Sequence, residues 1–393
     1  MNMIFTLKKQ SIKVFILSFF SFNLLFGTLA PDSFQKLINI FGIIIAAFVA
    51  LMLIPKLEKN IQELAVKLML LFFLLGALYS AYQAKFSYFQ MNNFRAGIYF
   101  VIRISSFFVL IFYIIETGNG KELAKNLFIL ALIYCLINDA LLIPRIKTLK
   151  ITQGYLLGNK FDVSYMHLEM LVLYIFQGAL SQYKKKYIVT LVLYALIISL
   201  TVDCITGIMG ILFFCIFFFF LPSKLIKKPL LWITLSTLSF VSVFNYSYIV
   251  GSRIYQDFFL GSLDRGVTLT GRINIYKKLP TLMSGHWLWG YGPSSSYEVI
   301  HNYLNMPNTQ NGFWDIILQV GVVSFAFLAI LVIYSIHQVD KRNKNFLLAL
   351  LAMLDTFTVL SIFEITVGAS FIGCVLLIAV YSILEDKISP IVE

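Results

Sequence analysis

The sequence predicts an all-α polytopic membrane protein, one integral-membrane domain over residues 1–393 with about twelve transmembrane helices. Three observations carry this. The 393-residue chain is 59% hydrophobic and only 13% charged, with a mean hydropathy of +0.85. Soluble domains carry about a quarter of their residues as Asp, Glu, Lys and Arg. The apolar residues fall in runs of the ~17–25 residues that a helix needs to cross a bilayer. The basic residues are concentrated in alternate connections between those runs.

The first run, 11–29, comes after Lys8 and Lys9 and contains Lys13. The chain beyond it is further membrane rather than a soluble remainder, so this run is expected to be the first span and not a cleaved leader. The others are 36–54, 64–82, 98–116, 122–143, 163–181, 187–202, 205–221, 229–248, 312–336, 345–360 and 362–383. With the N-terminus in the cytoplasm, the inside connections are PKLEKNIQE, TGNGKELAKN, QYKKKY, LPSKLIKKP and HQVDKRNKN. Together with the two tails they hold more than half of the Lys and Arg. The ordinary outside connections hold only Lys36, Lys85 and Arg95. That asymmetry places both termini in the cytoplasm and accounts for the net charge of +12 without nucleic acid.

Two outside connections break the pattern. Segment 144–162 carries Arg145, Lys147, Lys150 and Lys160. Segment 249–311, the large extracytoplasmic loop between spans nine and ten, carries Arg253, Arg265, Arg272, Lys277 and Lys278. Long loops cross a membrane whatever their charge, so one reading is plain solvation. The other is a common anionic ligand. The intramembrane residues Arg103, Asp139, His167, Glu169, Asp203, Asp315, Asp355 and Glu364 all fall in the outer halves of their spans on this topology. Ionisable groups there are costly and tend to mark a site. Cys135, Cys204, Cys215 and Cys374 lie in or beside apolar runs, and none pairs at metal-ligand or redox spacing. There is no Gly-rich phosphate loop before a helix, no HExxH and no acidic metal cluster.

The segments TGRINIYKKLP, WLWGYGPSSSY and PNTQNGFWDIILQVG succeed one another into the tenth span. With QGYLLGNKFDVSYMH before the sixth span and TVDCITGIMG at the eighth, they resemble the O-antigen ligase and polymerase superfamily of bacterial membrane glycosyltransferases. The resemblance covers roughly residues 140–325, and the GNKF and QNG spellings resemble its Gram-positive members. It implies a multi-pass protein of the cytoplasmic membrane. Its donor would be an undecaprenyl-pyrophosphate-linked oligosaccharide, used without cofactor or metal. A flippase and a chain-length regulator would be its pathway partners. Where many members have His-Asn, this chain has Gln310-Asn311, and an amide cannot serve as a general base.

In that chemistry an acceptor hydroxyl attacks the donor's anomeric carbon while pyrophosphate departs on its lipid. Fixed guanidinium groups suit the departing charge. Arg272 is the first candidate and Arg145 the second, with Arg265, Lys160, Lys277 and Lys278 in support. Candidate bases are His301, Glu169 and Asp203. Asn159, Tyr276, Tyr291, Gly292 and Asn311 fall in the motifs and are candidate substrate contacts. The tyrosines, with Trp287 and Trp289 beside His286, equally fit an interfacial aromatic belt. The leading expectation is a polymerase of lipid-linked repeat units for a surface polysaccharide. A ligase moving finished glycan to another acceptor fits the same motifs. A flippase or other transporter would need two-sided access and usually two homologous halves, and a structural scaffold is the residual reading.

Overall fold

The computed structural model describes residues 2–29, 32–53, 60–84, 93–143, 154–181, 187–251, 266–384 and 387. Among these the regular structure is helical. In order it comprises α1 (Asn2–Leu25), α2 (Asp32–Leu53), α3 (Ile61–Gln83), α4 (Asn93–Glu116), α5 (Gly120–Leu142), α6 (Lys160–Ser181), α7 (Ile188–Thr201) and α8 (Ile205–Cys215). Next come the short α9 (Ser223–Ile226), α10 (Pro229–Gly251), α11 (Gly266–Leu282), α12 (Ser296–Leu304), α13 (Gly312–Lys341), α14 (Leu348–Leu360) and α15 (Ala369–Ile383). Seven of these helices, α2 to α6, α10 and α13, are long and apolar enough to cross a membrane. The other apolar runs hold helices of 10–17 residues.

The bundle is apolar outside as well as inside. On α2, Leu37, Ile40, Phe41, Ile44, Phe48 and Leu51 are exposed, a stripe with helical period and no polar face to match. In water such a surface would aggregate. In lipid it is the ordinary outer face of a span. Many polar side chains turn inward and find partners on the backbone or on one another. Ser18, Ser21, Ser335, Thr356 and Thr358 donate back to carbonyls four residues earlier on their own helices. Asp139 of α5 accepts from the Tyr194 hydroxyl and meets His167 Nε2 at 3.0 Å, while His167 Nδ1 lies 2.8 Å from the Val163 carbonyl. The four cysteines are free thiols.

One end of the bundle is rich in cations. There Lys13 donates to the Tyr113 hydroxyl, Lys227 to Asn345 and Lys228 to Asp340, and Lys387 pairs with Glu116. The opposite end gathers the C-termini of α5, α7 and α14, the N-termini of α6, α8, α13 and α15, and the segment holding α11 and α12.

Two local features shape that end. The stretch 361–368 is not helical throughout, although it lies largely within the apolar run 362–383. The Thr366 hydroxyl turns back to the Phe357 carbonyl, and Gly368 precedes the first turn of α15. Ile365, Thr366 and Val367 favour extended backbone over helix. In α13, Gly321 has φ 74° and ψ 170°, which breaks the helix in mid-course.

Candidate functional site

The break in α13 receives the GYG turn. The amides of Tyr291 and Gly292 donate to the carbonyls of Leu318 and Gln319 at 2.8 Å each, and the amide of Val322 donates to the carbonyl of Trp287 at 2.9 Å. Helical backbone could not make these bonds, because its carbonyls are already taken. Ser80 of α3 clamps the junction, donating to the Gln319 carbonyl and accepting from the Gly292 amide. Tyr291 is buried, stacks on His286 and donates to the Leu282 carbonyl. Burial pushes its phenol up to about 12. Tyr291 and Gly292 therefore hold this turn in place.

The QN turn sits at the start of α13. Asn311 caps the helix, its Oδ1 accepting from the Phe313 and Trp314 amides at 3.1 Å. Gln310 is held at φ 56°, a left-handed conformation that costs a residue with a Cβ about 1–2 kcal/mol. Asn308 Oδ1 accepts from both its backbone amide and its side-chain Nε2. Thr309 Oγ1 lies 3.1 Å from Asp315 Oδ1, and Ser296 donates to the same oxygen. Gln319 satisfies Asp315 Oδ2 at 2.7 Å. One buried carboxylate thereby ties α12, the QN turn and the broken helix together.

Arg272 points into this turn. TGRINIYKKLP is helical, part of α11, and Arg272, Ile275, Tyr276 and Leu279 share its inner face. Arg272 Nη2 donates to Gln310 Oε1 at 3.2 Å and to the Phe363 carbonyl at 3.0 Å. Tyr276 donates to the Gln310 carbonyl at 2.9 Å. Lys160, at the start of α6, reaches across to the Asp203 carbonyl at 3.0 Å.

Glu364, beside Phe363 in the 361–368 connection, feels both cations. Burial pushes its carboxyl above the usual range. The Ile365 amide, Arg272 and Lys160 oppose that rise, and Asp315 adds to it. Cations from two segments 112 residues apart in the chain therefore act electrostatically on one carboxyl.

The remaining sequence candidates occupy separate positions. Asn159 caps α6: its Oδ1 accepts from the Phe161 and Asp162 amides while Asp162 Oδ2 accepts its own amide, a reciprocal pair. Asp203 supplies its carbonyl and has φ 51° at the end of α7, with its side chain exposed. Lys277 and Lys278 are exposed, off the inner face of α11. His301 is exposed on α12 and stacks on Tyr297. Glu169 is 2% exposed and lines a cavity below the connection. Arg145 and Arg265 lie outside the described residues.

Sequence reasoning counts Glu364 among the intramembrane charges but does not assign it to the site. Its one signal is a charge beside a Thr-Val-Gly step, which reads as a span end rather than as a partner for Arg272. Among the described residues, no group of three or more His, Cys, Asp and Glu side chains is placed to hold a metal. The chain matches no family model and no curated protein.

Proposed function

We propose that this protein is a glycosyltransferase of the cytoplasmic membrane that polymerises lipid-linked oligosaccharide repeat units into a surface polysaccharide. The observation that carries the reading is Arg272 held by Gln310 Oε1 and the Phe363 carbonyl at the site end, with Glu364 next to Phe363 feeling the charges of Arg272 and Lys160. The segments resembling the ligase and polymerase superfamily supply Arg272, Lys160 and Gln310. In this reading all twelve apolar runs cross the membrane and both termini are cytoplasmic. The cation-rich end lies inside by the positive-inside bias. The site then faces outward, where a lipid-linked donor is presented.

The reaction joins an acceptor hydroxyl to the anomeric carbon of the donor. The acceptor oxygen forms the new C–O bond, the bond from anomeric carbon to pyrophosphate oxygen breaks, and the hydroxyl proton leaves to a base or to water. The developing charge sits on the departing pyrophosphate. Arg272, with its planar fork, takes phosphate oxygens, and Lys160 adds a second positive charge. Gln310 and the Phe363 carbonyl orient the guanidinium in advance, which keeps reorganisation low in the transition state. Glu364 offsets part of the positive charge of the two cations while the donor is away.

The test is reconstitution of the purified protein with an undecaprenyl-pyrophosphate-linked repeat unit. A ladder of lipid-linked multimers supports the reading. Unchanged single repeats, with a correctly folded protein and a competent donor, would overturn it.

A further inference from the structure

Below the 361–368 connection lies a cavity of about 170 Å³. It shares two walls with the cation site. The first turn of α6 gives Lys160 to the cation site and Asp162 to the cavity. The connection gives Glu364 to the first, and Ile365 and Thr366 to the second. The end of α1, the body of α6, Phe357 of α14 and the start of α15 line the rest of it, and one side is open.

The polar groups on these walls are not equally occupied. Asp162 Oδ2 accepts the Asn159 amide at 2.9 Å. The Thr28 hydroxyl donates to the Leu157 carbonyl at 2.8 Å, and the Thr366 hydroxyl donates to the Phe357 carbonyl. Glu169 differs: Ser370 stands beside its carboxyl, and its Oε2 is buried with no hydrogen-bond partner. A buried acceptor left unpaired costs about 1–3 kcal/mol or more, so such an atom calls for a donor.

We propose that this cavity seats the sugar ring that carries the acceptor hydroxyl, with Glu169 accepting a hydrogen bond from one of its hydroxyls. The assignment rests on the glycosyltransferase reading above. A cavity of about 150 Å³ holds benzene; a pyranose has about twice as many non-hydrogen atoms as benzene, so its ring would seat here with its substituents reaching out through the open side. The lining suits a pyranose, since Phe26, Met166 and Phe357 offer apolar surface to its C–H face while Glu169 meets a hydroxyl on its edge. A hard cation fits less well. Calcium takes about 6–8 oxygens and magnesium about six, whereas Leu25, Phe26, Met166, Phe357 and Ile365 make much of this wall apolar.

The test uses accessibility. Cys135→Ala, Cys204→Ala, Cys215→Ala and Cys374→Ala remove the native thiols, and Ala369→Cys places one on the cavity wall. Labelling by a small methanethiosulfonate is timed in lipid nanodiscs, with free hexoses and N-acetylhexosamines as probes. At least one of these sugars is expected to slow labelling several-fold and saturably. Glu169→Gln is expected to weaken that protection and Glu169→Leu to abolish it. Arg272→Ala is expected to leave it intact, so the cavity assignment and the pyrophosphate clamp can fail separately. Absence of protection by every sugar overturns the proposal. So does protection unaltered by Glu169→Gln in a protein that elutes as one species. Slowing by calcium or potassium chloride in place of the sugars overturns it in favour of a cation site.

Discussion

Gly290 and Gly321 meet backbone to backbone, with no room for a side chain on either. A Cβ on Gly290 would lie 2.6 Å from the Gln319 carbonyl oxygen, and one on Gly321 would collide with the Leu288 carbonyl. Both residues have positive φ, 70° and 74°. This contact lets a surface turn replace helical hydrogen bonds in α13. Gly321→Ala adds left-handed strain to overpacking, together about 3 kcal/mol or more. A lowered thermal midpoint of the purified protein is expected, with the same direction for Gly290→Ala. A midpoint within error of the parent would mean that the docked turn contributes little to stability.

The clamp gives a kinetic expectation. Arg272→Ala should slow polymerisation on the order of a hundredfold, matching the ~3 kcal/mol lost when a transition-state donor is removed. Arg272→Lys should recover only part of the rate, because a point charge cannot hold both Gln310 and a phosphate as a fork does. The measurement is the initial rate on a lipid-linked repeat unit with matched protein levels. An Arg272→Ala variant at full rate would remove the clamp.

These relationships are unevenly legible in the sequence. Arg272 and Gln310 lie in the polar segment before the tenth apolar run and Gly321 falls inside that run, so motif order alone brings them forward. That Gly290 and Gly321 touch is not legible, because a glycine in a helical run reads first as a tolerated defect. Residues 361–368 escape for a different reason. Hydropathy averages over a window, and Ser361 to Gly368 contains enough apolar residues to pass as membrane. Asn159 and Asn311 carry capping signatures, yet their place in the motifs points to substrate contacts instead. Lys277 and Lys278 illustrate the converse: adjacent charges draw the eye, yet helical periodicity turns them away from Arg272.

Glu364 sets a pH dependence. Its folded carboxyl titrates above the usual range, chiefly through burial. A group whose folded pKa is raised contributes stability that is present below its unfolded pKa, about 4.3, and is lost as pH rises through the folded value. The parent is therefore expected to lose thermal stability as pH climbs from that unfolded value through the raised one. Glu364→Gln should show a shallower slope. Melting curves across that range check it, and parallel slopes for parent and variant would contradict the assignment.

Orientation is checked by labelling. Ser284 is exposed at the site end, just after α11, and Lys224 is exposed in α9 near the cation-rich end. Ser284→Cys should react with an impermeant thiol reagent on whole cells, and Lys224→Cys only after lysis. The reverse pattern would place the site in the cytoplasm and end the lipid-linked donor reading.

Gln310 separates base catalysis from positioning. Its Oε1 accepts from Arg272 and its Nε2 donates to Asn308, so both ends of the amide are engaged in holding the guanidinium. Gln310→Leu keeps the bulk and loses both bonds. A hydrogen bond to a charged group is worth about 1.5–3 kcal/mol, so the rate should fall about ten- to a hundredfold. Gln310→Gly relieves the left-handed backbone at φ 56° and is expected to be at least as stable as Gln310→Leu while equally slow. That combination ties the loss to the amide rather than to folding. Gln310→His should retain part of the rate, since a ring nitrogen can still accept from Arg272, and should introduce a titration near the imidazole's ordinary pKa of about 6.5. His301 is exposed and stacked on Tyr297, so His301→Ala should polymerise at close to the parent rate. A near-dead His301→Ala that Gln310→His rescues would instead make an imidazole the base. The donor carries pyrophosphate, already a good leaving group, so stabilising its charge lowers the barrier more than deprotonating the acceptor does. The rate should therefore respond to Arg272 and Gln310 far more strongly than to His301.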